Sequence, residues 1–259
     1  MAADKQKVID IALGEVGYLE KASKSNLDDK TANAGSANIT KYARDLAELS
    51  YFNGNKQGVA WCATFVCWCF VKAYGKAAAL KMLYQPTKAA NNAAAGCKYA
   101  RNYFKDKGKL YDTPKAGDQI FFYSSDKSSI SHTGLVYKVD DKKVYTVEGN
   151  TSSSSGVVAN GGAVAKKSYS LTYARIAGYG RPDYGTQVET QTAKEPEKQA
   201  AVVETPSTYT TYTVKKGDTL WRISQKNLGK GNRYMEIMAA SGISSYKLKI
   251  GQTLKIPKA

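Results

Sequence analysis

Four cysteines and one histidine supply most of the nucleophilic and acid–base chemistry open to this chain of 259 residues. Cys62, Cys67 and Cys69 fall within the apolar run Trp61-Cys62-Ala-Thr-Phe-Val-Cys67-Trp-Cys69-Phe-Val, and the fourth is Cys97. Only Cys62 directly follows a turn-rich stretch, Phe52-Asn-Gly-Asn-Lys-Gln-Gly58. It therefore falls in the first turn of a buried helix, where backbone N–H groups lack partners and the dipole favours an anion. A thiolate is the reactive form of cysteine, and a helix N-terminus lowers its pKa. Cys67 and Cys69 lie one and two turns further in; with Cys97 they read as small core hydrophobes. The Cys67-Xaa-Cys69 spacing is not the C-x-x-C of a redox or zinc site.

A cysteine nucleophile needs a base, and the base needs a third group to orient it. His132 opens the segment Ser131-His-Thr-Gly-Leu-Val-Tyr behind a loop of Ser, Lys and Asp. It is the side chain best suited to move a proton near neutral pH. Glu148 and Asn150, in Val147-Glu-Gly-Asn-Thr, stand two residues apart at the end of the next extended segment. In a regular strand both face one side. A hairpin through Asp140-Asp141-Lys142 would bring them to the edge that carries His132. Taken singly, each residue has a plainer reading: core thiol, strand-end imidazole, solvated carboxylate. Taken together they form one constellation for attack on a carbonyl. A single histidine also excludes any metal site that needs paired imidazoles.

The surrounding pattern changes half-way along the catalytic candidates. Val8, Ile11, Ala12 and Val16 keep helical spacing, and further helices are predicted from Asn38 to Leu49, from Trp61 to about Tyr74, and from about Thr87 to Phe104. From Pro114 onward the apolar runs become strands: residues 119–123, 132–139, 143–148, 163–166 and 176–180, punctuated by Gly, Ser, Asp and Asn. Helices followed by an antiparallel sheet predict an α+β fold.

Residues 184–210 are rich in polar residues and proline and predict a flexible linker. They divide a domain at 1–183 from a small one at 211–259. The net charge is +16, with 26 basic and 16 acidic residues in 1–183 and 10 basic against 2 acidic in 211–259. That balance favours a polyanionic partner. No stretch of 18 apolar residues exists, so no membrane insertion is expected. The apolar run from Val8 is short and carries Asp10, unlike a secretory segment, so a cytosolic product with reduced thiols is expected.

Four motifs in order, Trp61-Cys62-Ala-Thr-Phe-Val, Pro114-Lys-Ala-Gly-Asp118-Gln-Ile-Phe-Phe, His132-Thr-Gly-Leu-Val and Val147-Glu-Gly-Asn-Thr, resemble the CHAP family of cysteine, histidine-dependent amidohydrolases and peptidases. The resemblance implies a papain-like catalytic domain that cuts an amide of peptidoglycan. It assigns Cys62 as nucleophile, His132 as base and Glu148 as its orienting group, with Asn150 in support. The backbone N–H of Cys62 would help hold the oxyanion, and Gln57 is a candidate side-chain donor. Some relatives carry a calcium loop of alternating Asp residues; Asp28-Asp29 here are adjacent, so no metal or other cofactor is expected.

Thr211-Tyr-Thr-Val-Lys-Lys-Gly217-Asp218-Thr219-Leu-Trp221 reads as strand, turn and capped helix, Asn232 to Ala240 as a second helix, and Leu248 to Pro257 as a returning strand. This segment resembles a single LysM module, a βααβ fold that binds N-acetylglucosamine-containing glycans. The resemblance places the glycan groove at Gly217, Asp218, Thr219, Leu220, Gly242, Ile243, Ser244 and Ser245. Ser241-Gly242 stands where many members carry Asn. The two resemblances together imply a monomeric phage endolysin or related autolysin; the phage enzyme would be made in the cytoplasm of the infected bacterium and act on the wall after release. Its partners would be peptidoglycan and anionic wall polymers such as teichoic acid. The alternative is a wall-binding protein without catalysis. No nucleic-acid motif accompanies the charge.

Overall fold

The computed structural model describes residues 3–158, 160–185, 209–215, 218–229, 233–241, 243 and 248–257. The chain divides into two compact units, residues 1–190 and 191–259, and each is described by itself. Most of the expected linker lies outside the described residues. Its first residue, Tyr184, belongs to the first unit: the phenol donates to the Gly117 carbonyl at 2.8 Å and the ring packs beside Phe70 and Tyr74.

The first unit is α+β, as expected. Five helices come first: α1 (Lys5–Gly14), α2 (Lys41–Glu48), α3 (Cys62–Tyr74), α4 (Lys76–Met82) and α5 (Cys97–Asp106). Six strands follow: β1 (Leu110–Tyr111), β2 (Gln119–Tyr123), β3 (Ile130–Val139), β4 (Lys143–Thr151), β5 (Ala163–Ser170) and β6 (Ile176–Gly180). They form one sheet in the order β1-β6-β2-β3-β4-β5, and every pairing is antiparallel.

Polar caps start the first two helices. Asp4 accepts from the Gln6 N–H before α1, and Thr40 accepts from the Ala43 N–H before α2. The expected helix from about Thr87 to Phe104 is not continuous. Residues 89–91 form one 3₁₀ turn, and α5 begins only at Cys97, after Gly96. Asn92 explains the break: its side chain bonds the Tyr51 carbonyl, the Gln85 side chain and the Ala94 N–H, so it serves as a buried junction between loops. Two elements escaped the periodicity reading. Helix α4 follows α3 across Gly75, whose φ of +81° suits glycine, and β1 is only two residues long.

The sheet carries apolar side chains on both faces. Phe121, Leu135, Val147, Val164 and Ala177 join the core built by α1, α2 and α3, with Trp61, Phe65 and Trp68 at its centre. The alternate residues Ile120, Phe122, Val136, Val144 and Tyr169 form a second apolar cluster with Tyr179. Helix α3 is buried at every residue except Lys72 and Tyr74, consistent with its largely apolar sequence. Its close approach to β4 is possible because residue 149 is glycine: a Cβ there would lie 2.6 Å from Phe65 Cβ and 2.8 Å from the Trp61 ring.

In the second unit β7 (Tyr209–Thr213) pairs antiparallel with β8 (Thr253–Pro257), and α6 (Leu220–Leu228) and α7 (Tyr234–Ser241) lie between them in sequence. This is the expected βααβ order. Thr219 is the N-cap of α6 and accepts from the Arg222 N–H. Val214, Leu220, Ile223, Ile237, Met238, Leu254 and Ile256 form its core. Among the described residues no helix is long and apolar enough to cross a membrane.

Gly149→Ala should force α3 and β4 apart, because the added methyl meets the root of a buried aromatic side chain. We expect a loss of about 1–3 kcal/mol, read as a lower midpoint in thermal or urea unfolding.

Candidate active site

Cys62 is the first residue of α3, and Trp61 is its N-cap. Trp61 is fully buried, and its indole N–H donates to the buried Glu20 carboxylate at 2.8 Å, which fixes the helix start. The expectation that Cys62 begins the helix is met. Its sulfur lies 3.4 Å from the Cys97 sulfur, a contact not expected from sequence. The other thiols differ sharply in environment. Burial pushes the Cys67 thiol up to about 12 and the Cys69 thiol well above the ordinary range. Cys62 is held well below it, first by the hydrogen bond from Cys97, then by the charge of His132 and the Ala63 N–H, which together outweigh desolvation.

His132 and Glu148 come together through the β3–β4 hairpin. Asp140 closes that turn, accepting from Lys142 and Lys143 N–H groups at 3.0 and 2.8 Å. The register pairs Leu135 with Val147 and so sets Gly134 beside Glu148. The Glu148 side chain lies across Gly134, where a Cβ would stand 2.5 Å from its Cγ. Glu148 thereby reaches diagonally to His132, with Oε2 2.9 Å from Nε2. Both side chains are fully buried.

Glu148 is itself held. Thr146 donates its hydroxyl to Oε1 at 2.5 Å, and Tyr169 donates its phenol to Oε2 at 3.2 Å. Burial and the neighbouring carboxylate push the Tyr169 phenol up, so it keeps its proton and acts as a donor. Phe122 stacks on His132 with centroids 6.0 Å apart. None of Thr146, Tyr169 or Phe122 was singled out in the sequence. Thr146 had a readable signal, two residues before Glu148 on the same strand face; Tyr169 had none.

His132 Nδ1 is buried and makes no hydrogen bond in this geometry. The nitrogen that faces Glu148 is therefore Nε2, which leaves Nδ1 for the thiol. Burial lowers the affinity of His132 for a proton, but the Cys62 thiolate and Glu148 outweigh it and push its pKa up to about 10. With Cys62 pushed down and His132 up, both shifts favour a thiolate beside an imidazolium.

Two expected contributors are placed differently. Gln57 clasps the backbone of Thr40 with both ends of its amide: Oε1 accepts from the N–H at 2.9 Å and Nε2 donates to the carbonyl at 2.8 Å. Its side chain anchors the start of α2, and the structure gives it no part near Cys62. Asn150 departs from strand geometry. Its φ is +54°, and the register with β5 shifts between Glu148 and Thr151. The period-two argument that aligned it with Glu148 fails there. Its Oδ1 accepts from the Gly162 N–H at 3.4 Å, and its carbonyl accepts from Gly161 at 3.0 Å. Asn150 thus shapes the turn toward β5.

The motif around Asp118 is structural. The buried carboxylate takes both Arg181 Nε and Nη2, at 3.0 and 2.9 Å, and the Lys115 N–H at 2.7 Å. It locks the turn before β2 to the end of β6. Asp28 is bidentate to Arg44, and Asp29 accepts from the Thr31 and Ala32 N–H groups. The buried cation of that loop is Lys21, whose ammonium donates to the Ala32 carbonyl at 2.9 Å. Among the described residues no group of three His, Cys, Asp or Glu is placed to hold a metal ion.

Residues 54–150 match the CHAP domain, and residues 212–257 match the LysM domain. The chain carries a CHAP domain followed by a LysM domain. The CHAP match ends on Asn150 and includes Cys62, His132 and Glu148. Among solved structures, one described as the crystal structure of Ly7917 is 11% identical with a TM-score of 0.43, covering 71% of this chain and 64% of that one. A second, described as the crystal structure of Ly7917 with the hydrolyzing product of MDP, is 11% identical with a TM-score of 0.41, covering 70% and 63%. The chain thus spans under two thirds of the length of these structures. No curated protein matches it.

In the LysM domain the expected groove residues fall into two groups. Gly217, Gly242, Ser244 and Ser245 lie outside the described residues. Asp218 accepts from the Tyr212 phenol at 2.9 Å and the Lys215 N–H at 2.8 Å, and Thr219 caps α6. Leu220 is buried in the domain's core, and Ile243 packs against it. The Leu220 side chain is therefore spent on packing, contrary to its expected place as a groove contact.

Two substitutions test the CHAP site. Gly134→Ala should displace Glu148 from His132 and lower kcat/KM by roughly tenfold or more in a wall-clearing assay, with circular dichroism retained. A thiolate–imidazolium pair loses activity as pH falls through the lowered Cys62 pKa and again as pH rises through about 10. Glu148→Gln removes the carboxylate that supports the imidazolium. Its alkaline limb should move down by about one to two pH units; an unmoved limb would show that Glu148 does not hold the proton on His132.

Proposed function

We propose that this protein is a peptidoglycan hydrolase that cuts an amide bond by cysteine nucleophilic catalysis and is held to its substrate by the LysM domain. The carrying observation is the buried chain of Cys62 at a helix start, His132 with a free Nδ1, and Glu148 on its Nε2, within the segment that matches the CHAP domain. The wall as substrate is supported by the pairing of that domain with a LysM domain and by the basic charge of the chain.

The Cys62 thiolate attacks the amide carbonyl carbon, forming an S–C bond while the carbonyl electron pair moves to oxygen. The Cys62 N–H, in the first turn of the helix where it has no intrahelical partner, donates to that oxyanion. His132 Nδ1–H gives its proton to the leaving amine as the C–N bond breaks, leaving a thioester. Neutral His132 then takes a proton from water, whose oxygen attacks the thioester, and the released thiolate restores the ion pair. Glu148 keeps the ring oriented and offsets its charge throughout. The amide is either that between N-acetylmuramic acid and L-alanine or one within the stem or cross-bridge peptide. An endolysin role, with the enzyme accumulating in the producing cell and acting on the wall once released, agrees with this pairing of cutting and binding domains.

Cys62→Ala should abolish turbidity loss of purified walls, by at least about a thousandfold, while still pelleting with them. Full lysis by that variant would sink the mechanism and leave wall binding as the function. Mass spectrometry of the digest assigns the bond: free muramoyl lactyl carboxyls with free L-alanine N-termini mark an amidase, and new amine and carboxyl ends within the stem or cross-bridge peptide mark an endopeptidase. Chelation with EDTA should leave the rate unchanged.

A further inference from the structure

The mechanism leaves one buried nucleophilic group without a task. Cys97 is the first residue of α5, following Gly96 as N-cap, just as Cys62 is the first residue of α3. Two helix N-termini therefore converge on two sulfurs 3.4 Å apart. Around them the packing is apolar, with Ala63 and Ile130 in the same cluster. Each helix start favours negative charge on its sulfur. Two thiolates in contact in so dry a place would repel strongly, so the pair holds one charge and one proton.

The position of His132 decides which sulfur carries the charge. The charge of His132 is among the influences that lower Cys62, and no other group takes its Nδ1. Cys97 is driven the other way, first by its hydrogen bond to Cys62 and then by burial, and keeps its proton. We propose that Cys97 is a positioning residue for the nucleophile: its thiol donates a hydrogen bond to the Cys62 sulfur, fixing its direction and favouring its thiolate. During attack the charge leaves the Cys62 sulfur for the carbonyl oxygen, the S–H···S bond weakens, and Cys97 neither gains nor loses a proton. This assignment rests on Cys62 as the nucleophile.

The test uses the full chain under reducing conditions and follows alkylation of Cys62 by iodoacetamide against pH, with the modified residue located by peptide mass spectrometry. That readout does not depend on wall cleavage, so it separates failure of this inference from failure of the proposed hydrolysis. Cys97→Ala and the near-isosteric Cys97→Val remove the donor; whichever folds serves as the donor-free variant. Cys97→Ser restores an O–H donor. The donor-free variant should show a midpoint about one pH unit higher, hence about tenfold slower alkylation of Cys62 on the acid side. Cys97→Ser should recover at least half the shift, and the acid limb of kcat/KM should move in step. A donor-free variant with the parent profile, or a serine variant shifted as far as the donor-free one, would overturn the proposal, since a packing role alone would not move the midpoint.

Discussion

Charges buried away from water persist only in company, and the His132–Glu148 pair sets the terms for the first unit. Neither side chain keeps any exposed surface. Removing such groups from water costs several kcal/mol apiece, recovered only if the partners meet at good geometry and every remaining lone pair is satisfied. The structure meets those conditions at Glu148, while His132 Nδ1 is left without a hydrogen-bond partner. Glu148 takes the imidazole, the Thr146 hydroxyl and the Tyr169 phenol, and Phe122 covers the ring face. The carboxylate reaches its partner only because residue 134 has no side chain to obstruct it.

The placement of Cys62 depends on a different part of the molecule. Helix α3 must start at one residue and lie hard against the sheet. Trp61 sets the start through Glu20, and Gly149 allows the contact. Glycines thus work at both ends of the constellation for the same reason, close approach: Gly134 admits the Glu148 side chain, and Gly149 admits the helix that carries Cys62. The Asp118–Arg181 clamp closes the frame by tying β2 to β6, so that the strand beside β3 cannot slip.

The two units solve their polar requirements differently. The first buries a charged network and surrounds it with two apolar clusters, one on each face of the sheet. The second, among its described residues, has a core of seven buried residues and spends polar groups on caps and turns. Small domains have little surplus stability to offset buried charge, which suits the second unit to recognition at its surface.

Much of this was legible in the amino-acid order, for a local reason. Periodicity and turn residues place α1, α2, α3 and the five longer strands, because each depends on near neighbours along the chain. The position of Cys62 at a helix start and the hairpin joining His132 to Glu148 are likewise local. The αL turn at Asn150, the clasp of Gln57 on Thr40 and the break before α5 are not, since each answers to a distant backbone group. Above all, the sequence treated four thiols alike except for one helix position. That Cys97, thirty-five residues away, rests on the Cys62 sulfur is decided by the packing of α5 against the site. Thiol acidity reports charge and donors in three dimensions, and only tertiary structure sets those distances.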